Sequence, residues 1–243
     1  WYLGMSWAVV LATLVFSYSV TIGNQVPAVL VLLWLVYALS EYERSPDGKH
    51  AALAGLAAGL LVNLEYVVGG IFGVAAFLLI FLPRHYRQAA FYSVTALAGL
   101  SLIPILNLIA HGSPLPLYSE THTVPLARNF LADLWSLFFG YKGIFIFTPT
   151  LLFIIPVWMK LPREQWPRQK TFILSTIALT IAAYWILTSD GGGWCYGNRF
   201  LLTVSPLMFY YIVLYLKDWR RDLKHWLFIV LLVMLPGLMT GME

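Results

Sequence analysis

Apolar residues come in long continuous runs along this chain, and polar residues fill the short intervals between them. The first run is Met5–Val20, and polar Thr21–Gln25 separates it from Val26–Ser40. A charged stretch, Glu41–His50, follows. Ala51–Pro83 is apolar apart from Asn63, Glu65 and the pair Gly69-Gly70. Arg84–Gln88 is basic, and Ala89–Ala110 is apolar again. His111–Lys142 is a long polar and aromatic connection. Gly143–Met159, Thr171–Thr188, Phe200–Leu216 and His225–Thr240 are further apolar runs. Basic Lys160–Lys170, glycine-rich Asp190–Arg199 and basic Lys217–Lys224 separate them. Runs near 18–20 apolar residues cross a bilayer as helices. They are continuous rather than alternating, which argues against a barrel. The pattern predicts an all-α fold, a polytopic transmembrane helical bundle.

Ala51–Pro83 reads as one long tilted helix or as two short ones turning near Glu65. Charge decides between them, because cytoplasmic loops concentrate Lys and Arg. With two helices, one side of the bundle holds Arg44, Lys49, Arg84, Arg87, Lys160, Arg163, Arg168, Lys170, Lys217, Arg220, Arg221 and Lys224. The other side keeps only Arg128, Lys142 and Arg199. With one helix the two sides mix. The expected architecture is therefore about nine membrane segments with the Lys/Arg-rich loops cytoplasmic. Thr21–Gln25, Glu65, His111–Lys142 and Asp190–Arg199 then lie on the opposite face.

Composition fits this reading. Of 243 residues, 60% are hydrophobic and 11% charged, against about 25% charged in a soluble domain. Mean hydropathy is +0.77. A net charge of +4, spread in short clusters between apolar runs, predicts no nucleic-acid partner. Cys195 is the single cysteine, so neither an internal disulfide nor a thiolate metal cluster is expected. No soluble domain, low-complexity tract or internal repeat interrupts the chain, which reads as one transmembrane domain, 1–243. It opens at Trp1 in an apolar run without a basic leader, as a piece of a longer membrane protein would.

The least bland stretch is Asp190-Gly-Gly-Gly-Trp-Cys-Tyr-Gly-Asn-Arg-Phe200. Glycines let a backbone approach a ligand closely, and a guanidinium grips phosphate or carboxylate through paired hydrogen bonds. The plain alternative is a tight turn within an interfacial aromatic belt. Glu65 is the sharpest single residue, because an ionisable group amid apolar neighbours usually faces a cavity or a partner. It reads as a carboxylate for an acceptor hydroxyl or a cation, or as a wetted residue in a turn between helices. Lys142 stands at the mouth of an aromatic run, either as a point charge for phosphate or as a lysine snorkelling to the interface. Tyr118, Glu120 and His122 alternate and would share a face if extended. His111 and His122 match no metal-ligand spacing. No dinucleotide, Walker, zinc-protease or nucleophile-elbow motif is present.

Several segments resemble a known family. Gly192-Gly-Trp-Cys-Tyr-Gly-Asn-Arg-Phe-Leu201, with Pro206 following, is similar to the glycine-tryptophan-arginine loop of bacterial GT-C membrane proteins. Tyr141-Lys-Gly-Ile-Phe-Ile-Phe-Thr-Pro149 resembles another of their segments. So do Ala54–Gly59 with Leu64-Glu-Tyr66, and Tyr18-Ser-Val-Thr through Asn24. The four matches keep the family's order and span most of the chain. Lys142 replaces the usual Arg, Asn198 a Pro, and Phe200 a Tyr.

The resemblance implies a polytopic glycosyltransferase that moves a sugar from a polyprenyl-phosphate donor to an acceptor on the non-cytoplasmic face. Arg199 and Lys142 are then expected to bind the donor phosphate. Glu65, Tyr66, Asp190, Trp194, Tyr196, Tyr118 and Glu120 are expected to bind substrate. The family's catalytic acid, in its first outer loop, is expected upstream of Trp1. The implied partners are membrane lipid, the polyprenyl-phosphate sugar and a glycan, lipid or protein acceptor. No cofactor is assigned, and a divalent metal is left open. The alternatives are a transporter or lipid flippase, with Glu65 as its coupling carboxylate, and a non-catalytic membrane fragment.

Overall fold

The computed structural model describes residues 25–114, 130–140, 143–147, 151, 168–187, 199–208 and 210, and its regular elements there are all helical. They are α1 Gln25–Arg44, α2 Gly48–Leu64, α3 Tyr66–Phe81, α4 Tyr86–His111, α5 Phe130–Phe139, α6 Ile144–Phe147, α7 Arg168–Leu187 and α8 Arg199–Leu202. The described residues form two compact units. One lies within Pro27–Leu126 and Pro167–Tyr184, the other within Ala127–Trp166 and Trp185–Glu243.

The first unit is organised by α2, α3 and α4. Ala51–Pro83 is two helices, with Glu65 alone between them. They double back on each other: a Cβ at Gly69 would run into the backbone of Leu61 and Val62, and one at Gly73 would meet Ala58. After α3 the chain reverses within residues 82–85. Arg84 takes a left-handed φ of 67° there, and its N–H donates to Phe81 O at 2.8 Å. α4 then runs antiparallel to α3, with Phe81 against Tyr86 and the Tyr92 hydroxyl on Gly73 O at 2.7 Å.

It also runs parallel to α2 at very close range. A Cβ on Gly55 would strike Tyr92 O, and one on Gly59 would strike Ala96 O. Thr95 Oγ1 donates across this contact to Ala52 O at 2.7 Å. Only residues without bulk allow two helix backbones to approach this closely. The arrangement gathers the start of α2, the α3–α4 turn and the end of α1 at one end. There Tyr42 Oη and His85 Nδ1 share a hydrogen bond of 2.6 Å. Glu65 marks the other end.

α1 buries the stripe Ala28, Leu32, Leu35, Leu39 and Tyr42, the spacing of one helix face. α7 buries Phe172, Thr176, Thr180 and Tyr184, again one face at four-residue steps. Phe172 meets Phe72 of α3 edge-on, ring centroids 6.2 Å apart, and Tyr184 reaches Glu65, so α7 lies antiparallel to α3. In the second unit, α5 and α6 join through stacked Phe138 and Phe145, 5.3 Å between centroids.

By length and composition, α1 and α4 are long and apolar enough to cross a membrane, while Gly48–Leu64, Tyr66–Phe81 and Thr171–Ile186 are shorter apolar helices. Several boundaries differ from the hydropathy pattern. α1 continues past Ser40 to Arg44, because Arg44 pairs with Glu41 at 2.7 Å on the last helical turn. α2 starts at Gly48 rather than Ala51, because Asp47 caps it by accepting the His50 N–H at 2.8 Å. Helix α5 stands inside the expected polar connection His111–Lys142. The expected run Phe200–Leu216 is interrupted: the chain turns at Thr203 and Val204 and becomes helical again at Ser205. Pro206 has no N–H for the Leu202 carbonyl, and Ser205 Oγ donates there instead, at 2.8 Å.

Candidate functional site

The site begins with the break at Glu65. Its backbone is extended, φ −145° and ψ 92°, and it serves as C-cap of α2 and N-cap of α3. Its N–H closes α2 on Leu61 O at 2.8 Å, and its carbonyl accepts the first turn of α3 from Gly69 N at 2.7 Å. The backbone groups at the break are thus used in the two helices, and the carboxylate is left for something else. The residue as a whole is 8% exposed. Tyr184 on α7 donates its hydroxyl to Glu65 Oε2 at 3.2 Å.

Two residues before the break, Asn63 Nδ2 donates to Gly99 O of α4 at 2.7 Å. This ties the end of α2 to α4 and fixes where the break sits. The contact depends on Gly99, whose missing side chain lets α4 lie against Leu56 and Leu60. Thr176 and Thr180 lead along α7 toward Tyr184, both buried. Each returns its hydroxyl to a carbonyl one turn back, at 2.8 Å. The result is a carboxyl group at the α2–α3 break and a phenol on α7 held together among mostly apolar residues, where either can bind a hydroxyl or a proton.

Tyr66, next in sequence to Glu65, stands 69% exposed with its ring outward. Glu65 and Tyr66 thus diverge, one into the protein and one away from it. The backbone of Arg199 opens the short helix α8. One turn later Thr203 holds a buried hydroxyl with no hydrogen-bond partner, a costly placement that marks this helix break. Lys142, Asp190, Trp194, Tyr196, Tyr118 and Glu120 lie outside the described residues. Among the described residues, no three metal-ligating side chains gather.

Sequence reasoning missed Tyr184, which sits in an apolar run and resembles any interfacial aromatic. The available signal was its spacing: Thr176, Thr180 and Tyr184 repeat every four residues and place three hydroxyls on one helix face. Thr203 was missed too, and its signal was Pro206 three residues on. Compared with protein-family models, with curated proteins and with solved structures, the chain matches none.

Proposed function

We propose that the chain is a membrane-spanning bundle of about nine helical segments that transfers a sugar from a polyprenyl-phosphate donor to an acceptor on the non-cytoplasmic face. The observation that carries this reading is the Glu65–Tyr184 contact of 3.2 Å. It puts a buried carboxylate at the end of α7 from which the sequence runs on into Asp190–Arg199. The basic starts of α2 and α4 lie at the opposite end of the α2–α3 hairpin, which supports the assignment of faces by charge.

In this scheme the acceptor hydroxyl oxygen attacks the sugar's anomeric carbon. The bond from that carbon to the phosphate oxygen breaks, and polyprenyl phosphate leaves with the electron pair. Arg199, aided by Lys142, neutralises the charge that develops on the departing phosphate. Glu65 with Tyr184 holds a sugar or acceptor hydroxyl. Asp190, Trp194, Tyr196, Tyr66, Tyr118 and Glu120 complete the substrate surface. The acceptor hydroxyl's proton is taken up by the departing phosphate, and we assign no catalytic base.

The test is sugar transfer in proteoliposomes supplied with a polyprenyl-phosphate sugar. Arg199→Ala lowers transfer at least about a hundredfold, the usual scale for losing one charge-stabilising donor, and leaves the helical circular-dichroism spectrum intact. Wild-type transfer by that variant contradicts the scheme. The buried Glu65 also favours a second reading, ion-coupled transport or lipid flipping. Under it, solute or lipid movement in the same proteoliposomes depends on Glu65 while no sugar is transferred.

A further inference from the structure

We propose that the open cavity between the first turns of α2 and α4 binds the phosphodiester headgroup of an anionic phospholipid. The proposal rests on the membrane-spanning reading and is independent of sugar transfer. The cavity is about 590 Å³ and presents two cations, Lys49 from α2 and Arg87 from α4, with the Gln88 amide beside them.

The nearby carboxylates have partners of their own. Glu41 is paired with Arg44 at 2.7 Å. Asp47 accepts the His50 N–H at 2.8 Å and has His50 Nδ1 at 2.9 Å. Neither Lys49 nor Arg87 forms an ion pair among the described residues. The Arg87 guanidinium lies over the Phe91 ring, 5.7 Å from its centroid, so a cavity-lining side chain holds it in place. The first turn of α4 has no side-chain cap, so its N–H groups add positive potential at the same place.

Two features point to a lipid headgroup rather than a free anion. Apolar Ala52 and Phe91 form part of the lining. From there the exposed aliphatic side chains Val94, Leu97 and Ile105 continue along α4, a track for an acyl chain attached to the headgroup. Asp47 also lines the cavity, and its charge opposes the headgroup. This sets the sign of the decisive variant, because Asn at position 47 keeps the helix cap while removing the repulsion.

The test titrates the detergent-solubilised 243-residue chain with phosphatidylglycerol and with phosphatidylcholine, read by native mass spectrometry. The expected result is a preference for phosphatidylglycerol. Lys49→Gln and Arg87→Gln each weaken it about fivefold, the scale for one basic residue at an anionic surface. Asp47→Asn strengthens it, a direction that stays readable even if the cation variants fail to fold. Arg44→Gln, outside the cavity, leaves it unchanged.

Equal binding of the two lipids by the wild type overturns the proposal. So does a loss in Arg44→Gln equal to that of the cavity variants, which would mean a diffuse surface potential. Displacement of phosphatidylglycerol by millimolar inorganic phosphate overturns the lipid source. A chain that floats with vesicles of neither lipid overturns the membrane reading and this proposal together, whereas one that floats with both but shows no preference for phosphatidylglycerol in the titration overturns this proposal alone.

Discussion

Glu65 combines two tasks that seldom share one residue. Its backbone ends one helix and starts the next, and its buried carboxylate is held by a phenol 119 residues away in sequence. Removing that phenol takes one hydrogen-bond donor from the carboxylate in a place water reaches poorly. Tyr184→Phe is expected to lower stability by about 1–3 kcal/mol in a mixed-micelle unfolding titration. Glu65→Gln costs less, because the amide keeps an acceptor oxygen for Tyr184. A neutral Tyr184→Phe would mean that the phenol only fills space. Glu65 stood out in the sequence, because an acid between Leu64 and Tyr66 interrupts an apolar run, although a wetted turn between helices remained a second readable place for it. Its partner did not stand out, because nothing local distinguishes Tyr184 from an aromatic belt residue.

At the scale of elements, the hydropathy pattern located α1, α2, α3, α4 and α7 and missed where they end. Apolar counting stops at the last greasy residue, while caps and ion pairs carry a helix further, as Asp47 does for α2 and the Glu41–Arg44 pair does for α1. Helix α5 escaped for a related reason: Phe130–Phe139 carries Asp133 and sits in a stretch that reads as polar overall. Close contact between α2 and α4 gives a sharp test. Gly59→Ala puts a methyl against the backbone of α4 and is expected to cost about 1–3 kcal/mol. Gly70→Ala, in α3 with nothing within 4 Å of the new methyl, is expected to stabilise by about 0.5–1 kcal/mol. Thermal unfolding of the pair checks both signs, and equal effects would mean the two helices do not approach as described.

The cap on α2 gives a pH prediction. The His50 N–H donated to Asp47 holds its carboxyl below the usual carboxylate range. A depressed value in the folded state contributes stability that is present above the unfolded value, about 3.9, and is lost as pH falls through the folded value. The unfolding temperature of the wild type should therefore drop more steeply below about pH 4 than that of Asp47→Asn, whose cap does not titrate. Identical acid limbs would remove Asp47 from this role.

On the whole molecule's described surface, the contact between α2 and α4 is built inside out relative to a core folded in water. Where α2 meets α4 the contact is glycine, alanine and threonine, while Val94, Leu97, Ile105 and Ile109 of α4 stand at least half exposed. Between apolar helices in lipid there is no hydrophobic gain from burying large aliphatics, so small residues take the contacts and large ones face outward. In water the same face would be a contiguous apolar patch of the kind that aggregates. The membrane reading thus rests on packing as well as composition, and the proposed transferase rests in turn on its two faces being distinct.

The single native cysteine allows those faces to be read directly. Cys195 lies in the glycine-rich run, and Ser45 lies at the opposite end from Glu65 in the α1–α2 connection. In intact cells, a membrane-impermeant maleimide is expected to label Cys195. In the Cys195→Ser background, Ser45→Cys is expected to be labelled only after the membrane is permeabilised. Labelling of both positions from the same side, or of Cys195 only after permeabilisation, contradicts the account.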